Sequence, residues 1–281
     1  MNLRNALAHA RAGDLHYYLW KVNPALLRAW LRLRGMSATE AYSAMQKTVY
    51  EARARTDPKA FVVGMYEWHE RYDYETELLR HGPGADAVAL DFGCGPGRMI
   101  RRMATRLARV DGVDIAEENL RAAREYCGDL PVPPVLHLTA GRDLAEIPSA
   151  TYDLVYSTIC LQHIPVHSIR NALVAEMYRV LRPGGRLALQ MAQGESVAAV
   201  TARASSAEYP AHFAGWGDDA TSASDTNGLH DVVVTPGDHA TIERELSAIG
   251  FRDVSFATTP PPHPTHYLEW LYLYATKPGD R

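Results

Sequence analysis

The run Val88-Ala-Leu-Asp-Phe-Gly-Cys-Gly-Pro-Gly-Arg98 places a carboxylate, Asp91, just ahead of three alternating glycines, Gly93, Gly95 and Gly97. Glycines that directly follow a strand let the backbone turn tightly and approach a ligand in the crevice at the strand's carboxyl end. A dinucleotide fingerprint counted from Gly93 needs Gly or Ala where Arg98 stands, because the helix must sit close to the strand there. The spacing therefore argues against a nicotinamide cofactor. Asp114 ends a second apolar run, VDGVDIA, where a carboxylate can accept both hydrogen bonds of a ribose diol. Asp143 in AGRDLAEIP and Ser157 in TYDLVYSTI fall at two further strand ends, and His163 follows in LQHIP. With an unperturbed pKa of about 6.5, a histidine is the natural proton acceptor for a hydroxyl or a protonated amine.

Each of these residues has a structural alternative that the sequence leaves open. For Asp91 the alternative is a cap on the following helix or turn, and for Asp114 a solvated strand end. Asp143 neighbours Arg142, which offers a simple surface pair, and Cys94 suits a small filler in the loop. His163 also fits a structural or capping role. His167 lies beyond Pro165, which breaks helical facing, and His263 and His266 lie in a Pro-rich stretch. No metal site is expected from them.

The elements that must position these groups are legible from periodicity. Residues 1–82 read as helices, with Asn23-Pro24 as a start signal, Ser37 and Glu40 as a capping box, and Asp57-Pro58 as a further start. FVVGMYEWHERYDYETELL reads as one more helix, carrying Tyr66, Trp68, Arg71, Tyr72 and Tyr74. From residue 86 short apolar runs alternate with helical segments, which implies a mostly parallel, doubly wound α/β sheet. Gly184-Gly185 reads as the turn into a fifth strand, RLALQMA. Residues 193–238 form a long irregular insertion with Tyr209, His212, Phe213 and Trp216, a candidate lid. The chain closes with a helix stopped by Gly250 and two last strands. The expected division is a helical extension over 1–82 and an α/β domain over 83–281.

Together DFGCGPG, VDIA, GRDL and LRPGG, in that order, resemble the class I, seven-strand family of S-adenosylmethionine (SAM)-dependent methyltransferases. The resemblance covers residues 85–192 well and the final strands more loosely. It implies a Rossmann-like sheet of order 3-2-1-4-5-7-6 with the last strand antiparallel. It also implies SAM as cofactor and S-adenosylhomocysteine as product. By resemblance, the loop of Gly93, Cys94, Gly95 and Gly97, with Asp91, holds the methionine portion and Asp114 the ribose. Asp143 meets the adenine amino group, and Ile115, Arg142, Leu144 and Ser157 complete the cofactor site. His163 lies where the family's acceptor pocket is found and is the candidate general base. The aromatic residues of the helix before the sheet would face the sulfonium through cation–π attraction, with a packing face as the alternative.

The function implied is methyl transfer to an oxygen or nitrogen of a small molecule, such as a natural product or a sugar. A cyclase-type, non-methylating SAM enzyme and a non-catalytic binding protein remain as alternatives on the same fold. A formal net charge of −4 argues against a nucleic-acid partner. Three widely spaced cysteines, no signal peptide and no long apolar run suggest a cytoplasmic protein off the membrane. The oligomeric state is left open, a homodimer included.

Overall fold

A computed structural model describes residues 15–56, 72–204, 213–218, 231–261 and 267–279. Three helices come first, α1 (Leu15–Val22), α2 (Pro24–Leu33) and α3 (Ala38–Thr56). Asn23 starts α2 as expected, its side chain accepting from Ala25 N at 2.9 Å. Ser37 and Glu40 form the reciprocal box that opens α3, Glu40 Oε2 accepting from Ser37 N and Ser37 Oγ from Glu40 N.

The helix expected over residues 61–79 does not run through Asp73. That carboxylate accepts from the backbone and hydroxyl of Thr76 and starts a separate short helix, α4 (Tyr74–Leu78). Tyr66, Trp68 and Arg71 lie outside the described residues. Tyr74 is fully buried against Trp270 and beneath the Arg98 guanidinium, which favours the packing role for its ring.

A seven-stranded sheet follows, built from β1 (Val88–Phe92), β2 (Arg109–Asp114), β3 (Leu136–Leu138), β4 (Tyr152–Ser157), β5 (Leu181–Gln193), β8 (Arg252–Thr259) and β9 (Glu269–Thr276). Its order is β3-β2-β1-β4-β5-β9-β8. The first five strands are parallel, and β9 runs antiparallel to both its neighbours. This is the order expected from the sequence. Gly184-Gly185 does not precede the fifth strand but bulges within it: Leu181 pairs with Tyr152, and pairing resumes at Arg186 with Leu154.

Alternate residues along the strands enter two cores. Leu90, Val155, Leu187, Leu189 and Leu273 face α2, α3, α7 (His167–Val180) and α9 (His239–Ile249). Ala89, Leu154, Ala188 and Tyr272 face α4, α5 (Arg98–Met103) and α6 (Glu117–Tyr126). The α7 side chains Ile169, Leu173, Val174, Met177 and Val180 recur at the 3–4 residue spacing of one helix face, which is why that segment packs as a helix.

The described parts of 193–238 are more regular than an irregular insertion. They include α8 (Val197–Ala204) and a small parallel pair, β6 (Phe213–Gly215) with β7 (Asp231–Val233). Trp216 is buried rather than displayed. Its ring lies under the Arg170 guanidinium, which also donates to the Trp216 carbonyl, and its indole N–H donates to Glu245. Tyr209 and His212 lie outside the described residues.

Candidate cofactor and acceptor site

The glycine loop wraps the end of β2. Gly93 N and Cys94 N both donate to the Val113 carbonyl, at 2.8 and 3.1 Å. Gly93 has φ +73°, and a Cβ there would collide with Cys160 Sγ, so two independent constraints require glycine. Gly97 has φ +89°, with Cys127 Sγ 2.8 Å from where a Cβ would stand. The three thiols thus fill the space around this loop. Burial raises the pKa of all three, Cys127 to about 11, which leaves them as unreactive thiols at neutral pH. For Cys94 this favours the filler role.

Asp114 is the organising carboxylate. Its Oδ2 accepts from Gly95 N at 2.9 Å, and its Oδ1 from Ala116 N at 2.8 Å and Asn119 Nδ2 at 3.1 Å. Burial pushes its pKa up and these bonds pull it back. The Ile115 backbone N–H also turns toward this carboxylate, so a ligand hydroxyl must compete with donors already in place. Asp91, at the end of β1, is wholly buried and pushed up to about 8. Burial is the main cause, the Arg98 guanidinium opposes it, and Asp114 adds to it. The Asp91 Oδ2 atom accepts no hydrogen bond, and the Tyr156 hydroxyl beside it is likewise without a closed one.

Beyond β3, Thr139 and Asp143 shape the loop itself. Thr139 Oγ1 donates to the Asp143 carbonyl, and the Asp143 carboxylate accepts from Ala145 N at 3.3 Å. Arg142 pairs with Glu40 of α3 at 3.1 Å rather than with its neighbour Asp143, the surface pair that the sequence offered as the alternative. Leu144 is buried. Ser157 is fully buried and donates to the Phe92 carbonyl at 2.9 Å, tying the end of β4 to the end of β1. Ile115 meets Gly141, whose missing side chain makes room for it.

His163 ends a 3-10 turn, Leu161–His163, just past β4. Its Nδ1 lies 2.5 Å from Asp231 Oδ1, on the first residue of β7. It does not pair with His167, whose Nε2 instead meets Glu245 at 3.2 Å. Among the described residues no group of histidine, cysteine and carboxylate side chains could hold a metal ion.

Sequence reading missed the part played by α3. This helix lies along the carboxyl edge of the sheet and touches the segments after three strands. Glu40 meets Arg142 beyond β3, and Gln46 Nε2 reaches the His163 carbonyl at 3.4 Å beyond β4. Beyond β2, Glu51 accepts from the backbone of Glu117 and Glu118, capping α6 from outside. Two inner polar atoms of α3, Ser43 Oγ and Gln46 Oε1, are buried without a partner, as is Gln162 Oε1 in the turn before His163. Buried polar atoms are nearly always bonded, so orphans gathered at this edge are where a polar ligand would be expected. Nothing in the helix's sequence marks these side chains, because Ser, Gln and Glu on a helix read as a solvated face.

The seven-strand order and the glycine loop define a class I methyltransferase domain, and the comparisons agree: residues 89–185 match the family model described as a methyltransferase domain. The methyltransferase-domain match is confined to residues 89–185, and the rest of the chain lies outside it. Trans-aconitate 2-methyltransferase from Azoarcus sp. (strain BH72) is 40% identical over 126 residues, which are 43% of this chain and 46% of that protein. The chain spans about half the length of the curated relatives it matches first. Among solved structures, a chain from the complex between the Haloferax volcanii Trm112 methyltransferase activator and a methyltransferase superposes with a TM-score of 0.58. It is 16% identical, with 82% of this chain and 97% of that one covered. The DhpI–SAH complex gives 0.56 at 19% identity, covering 85% and 98%. At such identities the likeness is one of fold. No described helix is long and apolar enough to cross a membrane.

Proposed function

We propose that the chain transfers a methyl group from SAM to an oxygen or nitrogen of a small-molecule acceptor, in the cytoplasm. The observation that carries the reading is the set of unpartnered buried polar atoms at one sheet edge: Asp91 Oδ2, Ser43 Oγ, Gln46 Oε1 and Gln162 Oε1. They accompany a glycine loop and a strand-end carboxylate already held in place by hydrogen bonds. A cofactor with an amino acid at one end and a nucleoside at the other suits them. Asp91 fits a cationic ammonium, the loop backbone the methionine portion, Asp114 the ribose diol, and the 141–144 loop the adenine. SAM supplies an electrophilic methyl on a good leaving group, so positioning and exclusion of water can provide most of the rate.

In this reading α3 covers the cofactor and joins the 193–238 segment in shaping the acceptor pocket. His163 Nε2 takes the proton of an acceptor hydroxyl as the methyl is transferred, or that of an acceptor ammonium before the freed lone pair attacks, then passes it to solvent. The relatives named above carry small-molecule acceptors or none in their names, which supports the substrate class without fixing the acceptor.

The test is to incubate the protein with methyl-labelled SAM and fractionated small-molecule extracts. S-adenosylhomocysteine and a labelled product should appear in equal amounts. A converted product without S-adenosylhomocysteine would replace this reading with a non-methylating one, and no binding of SAM in calorimetry would remove both.

A further inference from the structure

We propose that Asp231 is a positioning residue that fixes the tautomer of His163, and that Tyr267 holds Asp231 in place. The proposal rests on the reading of His163 as proton acceptor. Three separate segments meet here: the turn after β4, the first residue of β7, and the residue two before β9. His163 Nδ1 is 2.5 Å from Asp231 Oδ1, and the Tyr267 hydroxyl donates to Asp231 Oδ2, also at 2.5 Å. An ionised carboxylate only accepts, so the imidazole atom facing it must carry the proton. Partial burial first, and then the Asp231 charge, raise the pKa of Tyr267 well above the usual phenol value, so it stays a donor. The neutral His163 ring is thereby held with Nδ1–H toward Asp231 and its lone pair on Nε2.

The surroundings support a held, accessible ring. His163 N donates to the Cys160 carbonyl at 2.9 Å, and Gln46 reaches the His163 carbonyl, so the backbone on which the ring hangs is fixed on both sides. Phe213 stands edge-on to the Tyr267 ring, with centroids 5.9 Å apart. The His163 side chain keeps 32% of its exposure and Asp231 21%, so the pair is neither sealed in the core nor splayed on the surface. Among the described residues, the other polar groups around the turn include Gln46 and Tyr42 on α3, Gln162 and Cys160 in the turn, and Gln190 on β5, which accepts from Ile159 N. Arg170 of α7 brings a cation to this turn, its guanidinium donating to the Ile164 carbonyl at 2.6 Å, so the guanidinium meets the backbone of the turn while the Asp231 carboxylate meets the ring itself. The proton of an acceptor hydroxyl leaves for Nε2 while the acceptor–methyl bond forms and the sulfur–methyl bond breaks. The Asp231 carboxylate stays ionised throughout.

The protein with 15N-labelled histidine, saturated with S-adenosylhomocysteine, tests the geometry directly. Long-range proton–nitrogen spectra, assigned with His163→Gln, should show Nδ1 protonated and Nε2 bare at pH 8. Asp231→Asn should abolish that preference, and Tyr267→Phe should weaken it, because the carboxylate loses the donor that holds it. Turnover, read as S-adenosylhomocysteine release with a small-molecule extract of the source cells, should fall about 10- to 1000-fold in Asp231→Asn with the KM for SAM unchanged. A bare Nδ1 in the parent protein, or the same tautomer in Asp231→Asn, overturns the proposal. Full turnover by His163→Gln overturns both it and the base reading. Loss of turnover in His163→Gln with unchanged activity in Asp231→Asn removes the role of Asp231 alone.

Discussion

Replacing Asp114 by Asn should loosen the cofactor loop before any cofactor is present. The carboxylate receives three donors, Gly95 N, Ala116 N and Asn119 Nδ2, at 2.8–3.1 Å. An amide has one oxygen, so in either orientation its NH2 must face at least one of these backbone donors. A bond to a charged acceptor is worth about 1.5–3 kcal/mol, and a buried donor left without a partner costs about 1–3 kcal/mol. With partial relaxation the net loss should be about 2–4 kcal/mol. For a chain of this size that lowers the melting temperature by about 4–16 °C, on a scale of roughly 2–4 °C per kcal/mol. The assay is thermal unfolding of the cofactor-free protein, followed by calorimetric titration with SAM. The affinity should fall by roughly 10- to 200-fold, the equivalent of one charge-assisted bond. A variant whose melting temperature matches the parent within 1–2 °C, as an order of magnitude for measurement scatter, would show that Asp114 does not hold Gly95 and Ala116 in the free protein.

Three further outcomes follow from the same contacts. Asp91, raised to about 8, binds a proton in the folded state at pH 7 that the unfolded chain has released above about pH 4. Stability therefore falls as pH rises between those values, by about 1.4 kcal/mol per unit. Urea unfolding of Asp91→Asn should show a stability advantage over the parent that grows from pH 5 to pH 8, and a constant difference would contradict the buried neutral carboxyl. Gly93→Ala should unfold about 1–3 kcal/mol more easily, since it strains φ +73° and drives a methyl into Cys160; an unchanged denaturation midpoint would show that the loop has room. His163→Gln should lower turnover about 10²- to 10⁴-fold while the calorimetric affinity for SAM stays within about twofold. A large loss of affinity would make His163 part of the cofactor site instead.

What could be read from the sequence was local. Asn23-Pro24, the Ser37–Glu40 box and the alternating glycines each place cause and effect within a few residues, and each is found as expected. The alternation of apolar runs and helices gave a parallel sheet, whereas its strand order came from the family resemblance of the ordered motifs. Asp73 was misread because a charged residue within a helical pattern does not show whether it caps or continues; its bonds to Thr76 decide that. Trp216 was misread as a lid residue because its partners, Arg170 and Glu245, come from α7 and α9, distant in sequence.

The candidate site divides along the same line. The proposed cofactor half depends on short motifs that follow β1, β2, β3 and β4, each legible from neighbouring residues. The acceptor half depends on contacts between remote segments. Asp231 lies 68 residues from His163, Gln46 lies 117 residues away on the other side, and neither belongs to a recognisable pattern. Helix α3 joins the halves, because the same 19 residues carry Glu40 at the loop beyond β3, Glu51 at the start of α6 and Gln46 at the histidine turn. A shift of this helix would change the cofactor cover and the backbone beneath His163 together. Substrate preference in this chain should therefore respond to substitutions on α3 as strongly as to those in the 193–238 segment, though α3 carries none of the motifs that identify the fold.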